Sequence, residues 1–231
     1  MSAARTTRAR RAQALPQFAA LCCLCSLALA TEIPLYATGP SQDAAFVRFV
    51  NAQDRVLEIS ASGSKARTRL ESAQPASPFY SVDANAKLRG RLQAGDQQGD
   101  IALSVKPGEF ATVVAMPGAG TIRQTILREQ PDDFNALKVS LALYNVDPQC
   151  GAAGLHVVGR NTTLFEGVGA GTLQRRAMNP VSISVQLRCN GQPAAATLAL
   201  GALQAGQRYS VFVVPAAGSP RLFLAADSVS R

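Results

Sequence analysis

Beyond residue 30 this chain is a succession of short runs rich in Val, Ile, Leu and Phe, interrupted by Gly, Pro, Asn and Asp, and no window of 12 or more residues carries a 3.6-residue apolar period. A helix needs that period to bury one face; a half-buried strand needs a period of two. The spacing predicts strands over 46–51, 56–61, 86–93, 101–105, 111–116 and 120–127, then over 137–144, 154–159, 162–168, 181–188, 194–200, 209–214 and 221–225. Within 181–188, Val181, Ile183, Val185 and Leu187 point one way and Ser182, Ser184, Gln186 and Arg188 the other, the signature of an antiparallel strand with one wet face. Many short strands with turn signals between them build sandwiches or barrels, so an all-β fold is expected.

The pattern also repeats. Val47-Arg48-Phe49-Val50-Asn51 is similar to Leu141-Ala142-Leu143-Tyr144-Asn145, 94 positions on, and the stretch Lys106 to Val114 matches Gln204 to Phe212 at a shift of 98. Two copies of this size predict two tandem small antiparallel β-sandwich domains, over 31–130 and 131–231. The join is expected in Arg128 to Asn135, where Glu129, Pro131, Asp132 and Asp133 interrupt the apolar pattern and a proline breaks any continuing ladder.

Residues 1–30 read as a cleaved secretory signal. Arg5, Arg8, Arg10 and Arg11 form a basic start, an apolar run of 13 residues follows from Phe18 to Ala30, and Ala28 and Ala30 supply the small residues a signal peptidase needs for cutting between Ala30 and Thr31. The run is well short of the roughly 20 apolar residues that cross a bilayer, so the cleaved chain is not expected to span a membrane. Removing it changes the charge argument. The full chain has 23 Lys and Arg against 15 Asp and Glu, a formal +8; without the four signal arginines, 19 basic residues face 15 acidic ones, a net +4. The densest remaining basic runs, Lys65 to Arg69, Lys87 to Arg91 and Arg175-Arg176, have no interleaved aromatics, which argues against nucleic-acid binding and leaves a modest attraction to an anionic polymer.

Of five cysteines, Cys22, Cys23 and Cys25 lie in the signal, and none has the small preceding residue of a lipoprotein site. Cys150 and Cys189 remain, and an even pair in an exported chain predicts a disulfide. No metal site is expected, since His156 is the sole histidine and zinc sites gather four ligands at short spacings.

No catalytic or cofactor-binding residue is expected either. His156 sits in the predicted strand around Leu155-His156-Val157-Val158, with Ala153 three residues before it, so no Asp-x-x-His pair is formed, and no Gly-x-Ser-x-Gly occurs. Asp132 and Asp133 are adjacent and fall on opposite faces of an extended chain. Gly167-Val168-Gly169-Ala170-Gly171 lacks both a following helix and the Lys-Ser/Thr of a phosphate loop; a loop or hairpin turn is expected there. Asn161-Thr162-Thr163 is a glycosylation sequon only in a eukaryotic secretory pathway.

Leu35-Tyr36-Ala37-Thr38-Gly39-Pro40, followed by Ala45-Phe46-Val47-Arg48-Phe49-Val50-Asn51-Ala52 and later by Asn179-Pro180-Val181-Ser182-Ile183-Ser184-Val185, resembles the alginate biosynthesis protein F family of bacterial exopolysaccharide O-acetylation. The resemblance implies a periplasmic adaptor needed to acetylate alginate or cellulose. Its implied partners are a membrane acetyl carrier, a separate periplasmic acetyltransferase and the anionic polysaccharide itself. A two-domain pilus-assembly-type chaperone is the alternative, because Asn135 to Tyr144 is similar to the interdomain strand of those proteins.

Overall fold

The computed structural model describes residues 44–130 and 135–230. The expected signal with its Ala30/Thr31 cleavage point, the Leu35 to Pro40 opening and the Asp132-Asp133 pair lie outside the described residues. Those that are described form sixteen strands and no helix. In chain order they are β1 (Ala44–Asn51), β2 (Leu57–Ala61), β3 (Arg67–Leu70), β4 (Tyr80–Asp83), β5 (Leu88–Ala94), β6 (Gln97–Leu103), β7 (Phe110–Pro117) and β8 (Ile122–Glu129). The second half has β9 (Val139–Asn145), β10 (Ala152–Val157), β11 (Thr163–Gly169), β12 (Thr172–Met178), β13 (Val181–Cys189), β14 (Gln192–Leu203), β15 (Arg208–Val214) and β16 (Arg221–Ala226).

The halves have one topology. β1–β8 make two four-stranded sheets, ordered β4-β1-β7-β8 and β3-β2-β5-β6; β9–β16 make β12-β9-β15-β16 and β11-β10-β13-β14, the same order eight strands later. The all-β, tandem-sandwich expectation is therefore met. Within these antiparallel-rich sheets two pairs run parallel, β1 with β7 and β9 with β15. These are the strands whose sequences repeat, and their registers agree, with Val47 opposite Ala111 and Leu141 opposite Tyr209.

The repeat extends to a buried polar residue that closes each copy. At the end of β1, the Asn51 amide donates to the carbonyls of Arg55 and Leu70 at 2.7 and 3.1 Å while its oxygen accepts from the Gln53 N–H. At the end of β9, Asn145 donates to the carbonyls of Cys150 and Val168 at 2.6 and 2.9 Å and accepts from the Asp147 N–H. Each asparagine satisfies main-chain carbonyls of a connection that leaves one sheet for the other, groups that would be costly to bury unpaired.

Three strands were not expected. β3 (RTRL), β4 (YSVD) and β12 (TLQRRAM) are short or charge-laden and owe their conformation to neighbours β2, β1 and β9. The glycine-rich run 167–171 is also resolved: β11 continues to Gly169, and the turn at Ala170-Gly171, with Gly171 at φ +75°, passes the chain from the β10 sheet to the β9 sheet.

Each sandwich has its own apolar core, built on Leu57, Ile59, Leu92 and Val113 in the first and on Leu141, Leu143, Leu155, Val185 and Leu187 in the second. A third core lies between them. Val50, Val114, Met116 and Leu127 from β1, β7 and β8 pack with Ala142, Tyr144, Phe212 and Val214 from β9 and β15. Since alternate residues of a strand serve opposite faces, the β1/β7 and β9/β15 sheets are buried on both sides and the strands stack as four layers. The same double burial accounts for their near-continuous apolar sequences. After β16 the chain returns to the first sandwich, where the Phe79 N–H donates to the Ser228 carbonyl and the Ser230 N–H to the Phe79 carbonyl, at 2.8 and 2.7 Å.

Candidate functional site

Among the described residues the most concentrated chemistry is a buried charge network in the layer between the sandwiches. Arg48 points from the middle of β1 away from its own core and is 0% exposed. Its Nε donates to Thr112 Oγ1 on the neighbouring β7 at 2.9 Å, its Nη2 to Ser210 Oγ on β15 at 2.9 Å, and its Nη1 to Asp227 Oδ1 at 2.6 Å. The guanidinium lies over the rings of Phe79, Tyr144 and Phe212, 4.4, 5.1 and 5.0 Å from their centroids, so aromatic faces supply part of the stabilisation lost with water. Asp227, just beyond β16, also accepts from Ser210 and, through its second oxygen, from Arg175 at 2.7 Å. Arg175 on β12 forks onto Glu129 at the end of β8, with both bonds at 3.0 Å, and Arg208 reaches the same carboxylate at 3.4 Å. Every carboxylate here bridges the two halves of the chain.

Burial alone would raise the pKa of Asp227, but the charges of Arg48 and Arg175 and the Ser210 hydroxyl outweigh it and hold the carboxyl below the usual range. Burial likewise opposes the charge of Arg175, and Glu129 and Asp227 reverse that, leaving its pKa raised. Tyr144 is pushed up chiefly by burial, against the pull of Arg48, and among the described residues its hydroxyl has no hydrogen-bond partner. Such a site is a clamp, in which three guanidiniums share two buried carboxylates. The repeat explains how it fits: Ala142 occupies in the second copy the position of Arg48 in the first, leaving room in the facing layer, and Ser210 takes the place of Thr112.

Cys150 and Cys189 are joined in a disulfide, with Cα atoms 4.9 Å apart. The bridge ties the connection after β9 to the end of β13, beside the carbonyl of Cys150 that Asn145 holds. In the first copy the corresponding carbonyl belongs to Arg55, so the staple is confined to the second sandwich.

His156 lies on β10, half-buried, with Nδ1 3.2 Å from Thr163 Oγ1. It shares a surface depression of about 430 Å³ with Gly154, Glu166, Arg188 and Asn190. Glu166 carries no signal in the sequence, because an irregularity in the β10–β11 register displaces the pairing there. Asn161 is exposed in the preceding turn. Among the described residues no three His, Cys, Asp or Glu side chains gather as metal ligands, and no helix is long and apolar enough to cross a membrane.

No protein-family model and no curated protein sequence matches the chain. Among solved structures it is similar to the C-terminal domain of AlgF from P. aeruginosa, at 17% identity over 39% of this chain and 98% of that one, with a TM-score of 0.33. It is also similar to the Bacillus anthracis TIE protein, at 13% identity, 74% and 34% coverage and a TM-score of 0.26. A third similar structure is the CBM26 module of Eubacterium rectale Amy13K in complex with maltoheptaose, at 10% identity, 78% and 96% coverage and a TM-score of 0.26. Likenesses this distant leave function to be argued from the residues of the chain itself.

Proposed function

We propose that this chain is a periplasmic, non-catalytic adaptor for O-acetylation of a secreted polysaccharide, alginate or cellulose, and that it works by binding the membrane acetyl carrier and the periplasmic acetyltransferase. The observation that carries the reading is the clamp. Arg48, Asp227, Arg175 and Glu129 hold two sandwiches in one orientation, and a body of fixed shape can keep two partners at a set separation and raise their effective concentration. The family resemblance of the Ala45 to Ala52 and Asn179 to Val185 segments supplies the pathway. The Cys150–Cys189 bridge suits an oxidising compartment.

The test is genetic. Deleting the chain is expected to abolish or sharply reduce acetyl ester on the secreted polymer, and His156→Ala, expressed at the wild-type level, is expected to restore it fully. Loss of acetylation in a folded His156→Ala protein would mean that the depression around His156 and Glu166 does chemistry.

A further inference from the structure

The two sandwiches share a topology but differ in how well they are filled. Registers align them residue by residue. Leu57 faces Leu70, and Ala153 faces Val168, the carbonyl of Leu70 or Val168 being the one that Asn51 or Asn145 holds. Two residues on, Ile59 lies between Thr68 and Leu92, and Leu155 between Phe165 and Leu187. One step further, Ala61 pairs with Gly90, and Val157 with Val185. Where the second sandwich places Phe165, Val157 and Val185, all buried, the first has Thr68, Ala61 and Gly90.

The missing side chains leave a cleft of about 440 Å³ between the sheets of the first sandwich, within the size range of small-molecule sites. Its inner wall is Val47, Ile59, Ile101 and Leu103; Phe49 and Leu88 are left half-buried at its sides. Their counterparts Leu143 and Ile183 are 0% and 9% exposed. Thr68 Oγ1 and Tyr80 Oη, 3.3 Å apart, form one lip. Gly90 cannot be enlarged to fill the space, since a Cβ there would stand 2.5 Å from the Ser60 carbonyl oxygen.

Two cations border the mouth. Of the basic runs Lys65 to Arg69 and Lys87 to Arg91, on β3 and β5 and the turns that enter them, Arg67, Arg69 and Arg91 lie on the solvent face of the sheet, since they alternate with Thr68, Gly90 and Leu92. Arg67, Arg69 and Arg91 are paired with Glu58, Glu71 and Asp100. Among the described residues Lys65, Lys87 and Arg89 have no carboxylate within ion-pair distance, and Lys87 and Arg89 line the cleft.

From these features we infer that the first sandwich binds a single anionic amphiphile, its linear apolar chain in the cleft and its anionic head at Lys87 and Arg89. An apolar slot removes the chain from water, and the unpaired cations select the sign of the head. Binding here is independent of the adaptor reading.

Calorimetric titration of the full mature protein tests it with two probes of equal chain length and opposite charge, decanoate and decyltrimethylammonium, both below micelle formation. Decanoate is expected to bind saturably at one site, with the cationic probe at least about tenfold weaker, a difference of roughly 1.4 kcal/mol. Thr68→Phe, which imports the residue of the second copy, is expected to remove decanoate binding without lowering the unfolding midpoint; should it fail to fold, Ala61→Val serves in its place. Lys87→Ala with Arg89→Ala is expected to erase the preference between probes. Absence of saturable decanoate binding, equal binding of both probes to the wild type, or undiminished binding in a folded cleft-filling variant overturns the inference.

Discussion

Replacing Asp227 by alanine leaves Arg48 with no carboxylate in a layer from which water is excluded, and removing one partner of a buried ion pair costs about 3–5 kcal/mol. Urea denaturation of Asp227→Ala is expected to show a loss of that size. Because the folded state holds the Asp227 carboxyl below its unfolded value of about 3.9, its contribution is complete above that pH and is lost as the pH falls through the folded value. Wild-type stability should therefore fall as the medium is acidified below about pH 4, and Asp227→Asn should fall less steeply over that window. Tyr144→Phe works in the other direction. It removes a buried hydroxyl without a partner and keeps the stacking on Phe212 at 4.7 Å, so an unchanged or higher stability, by about 1 kcal/mol, is expected in the same measurement. Part of this was legible in the sequence: an arginine inside Phe46-Val47-Arg48-Phe49-Val50 is out of place in an apolar alternation. Its partner was not, because Asp227 lies 179 residues away and no periodicity reports a contact of that range.

At the scale of strands, legibility followed burial. β1, β7, β9 and β15 are covered on both faces and carry continuous apolar residues, which makes them and the shifts of 94 and 98 that relate them legible in the sequence. β3, β4 and β12 are edges of their sheets and, unlike the other edges, are short or charge-laden; a neighbour, and not an intrinsic pattern, makes them strands. The parallel pairing of β1 with β7 was hidden for a related reason, since alternation gives the faces of a strand and not its direction. The cleft in the first sandwich was hidden too, because it emerges only when registers set Thr68 against Phe165 and Gly90 against Val185. The disulfide was legible by parity alone. It closes a separation of 39 residues, worth roughly 4 kcal/mol in the chain-entropy model. Replacing both cysteines by serine is expected to lower stability by roughly 2–4 kcal/mol. The first-sandwich cleft, with no staple near it, is expected to bind decanoate as before, which titration of the double variant checks.

For the whole molecule, one eight-strand topology occurs twice and the two copies differ: the second holds a disulfide, the first an open cleft, and Arg48 against Ala142 makes their facing layers complementary. Fixing two such units by buried charge limits the motion expected between small domains, and that fixed shape is what an adaptor can use. The most direct measurement mixes the purified chain from Thr31 onward, the form expected if the signal is cleaved, with the periplasmic acetyltransferase of the same cell and follows mass by light scattering during size-exclusion chromatography, with acetyl transfer to polymer assayed for each protein separately. The expected result is a stable complex of the two, with transfer dependent on the transferase and none from the mature chain by itself. A mature chain that forms no complex, or that moves acetyl groups to the polymer unaided, contradicts the adaptor account.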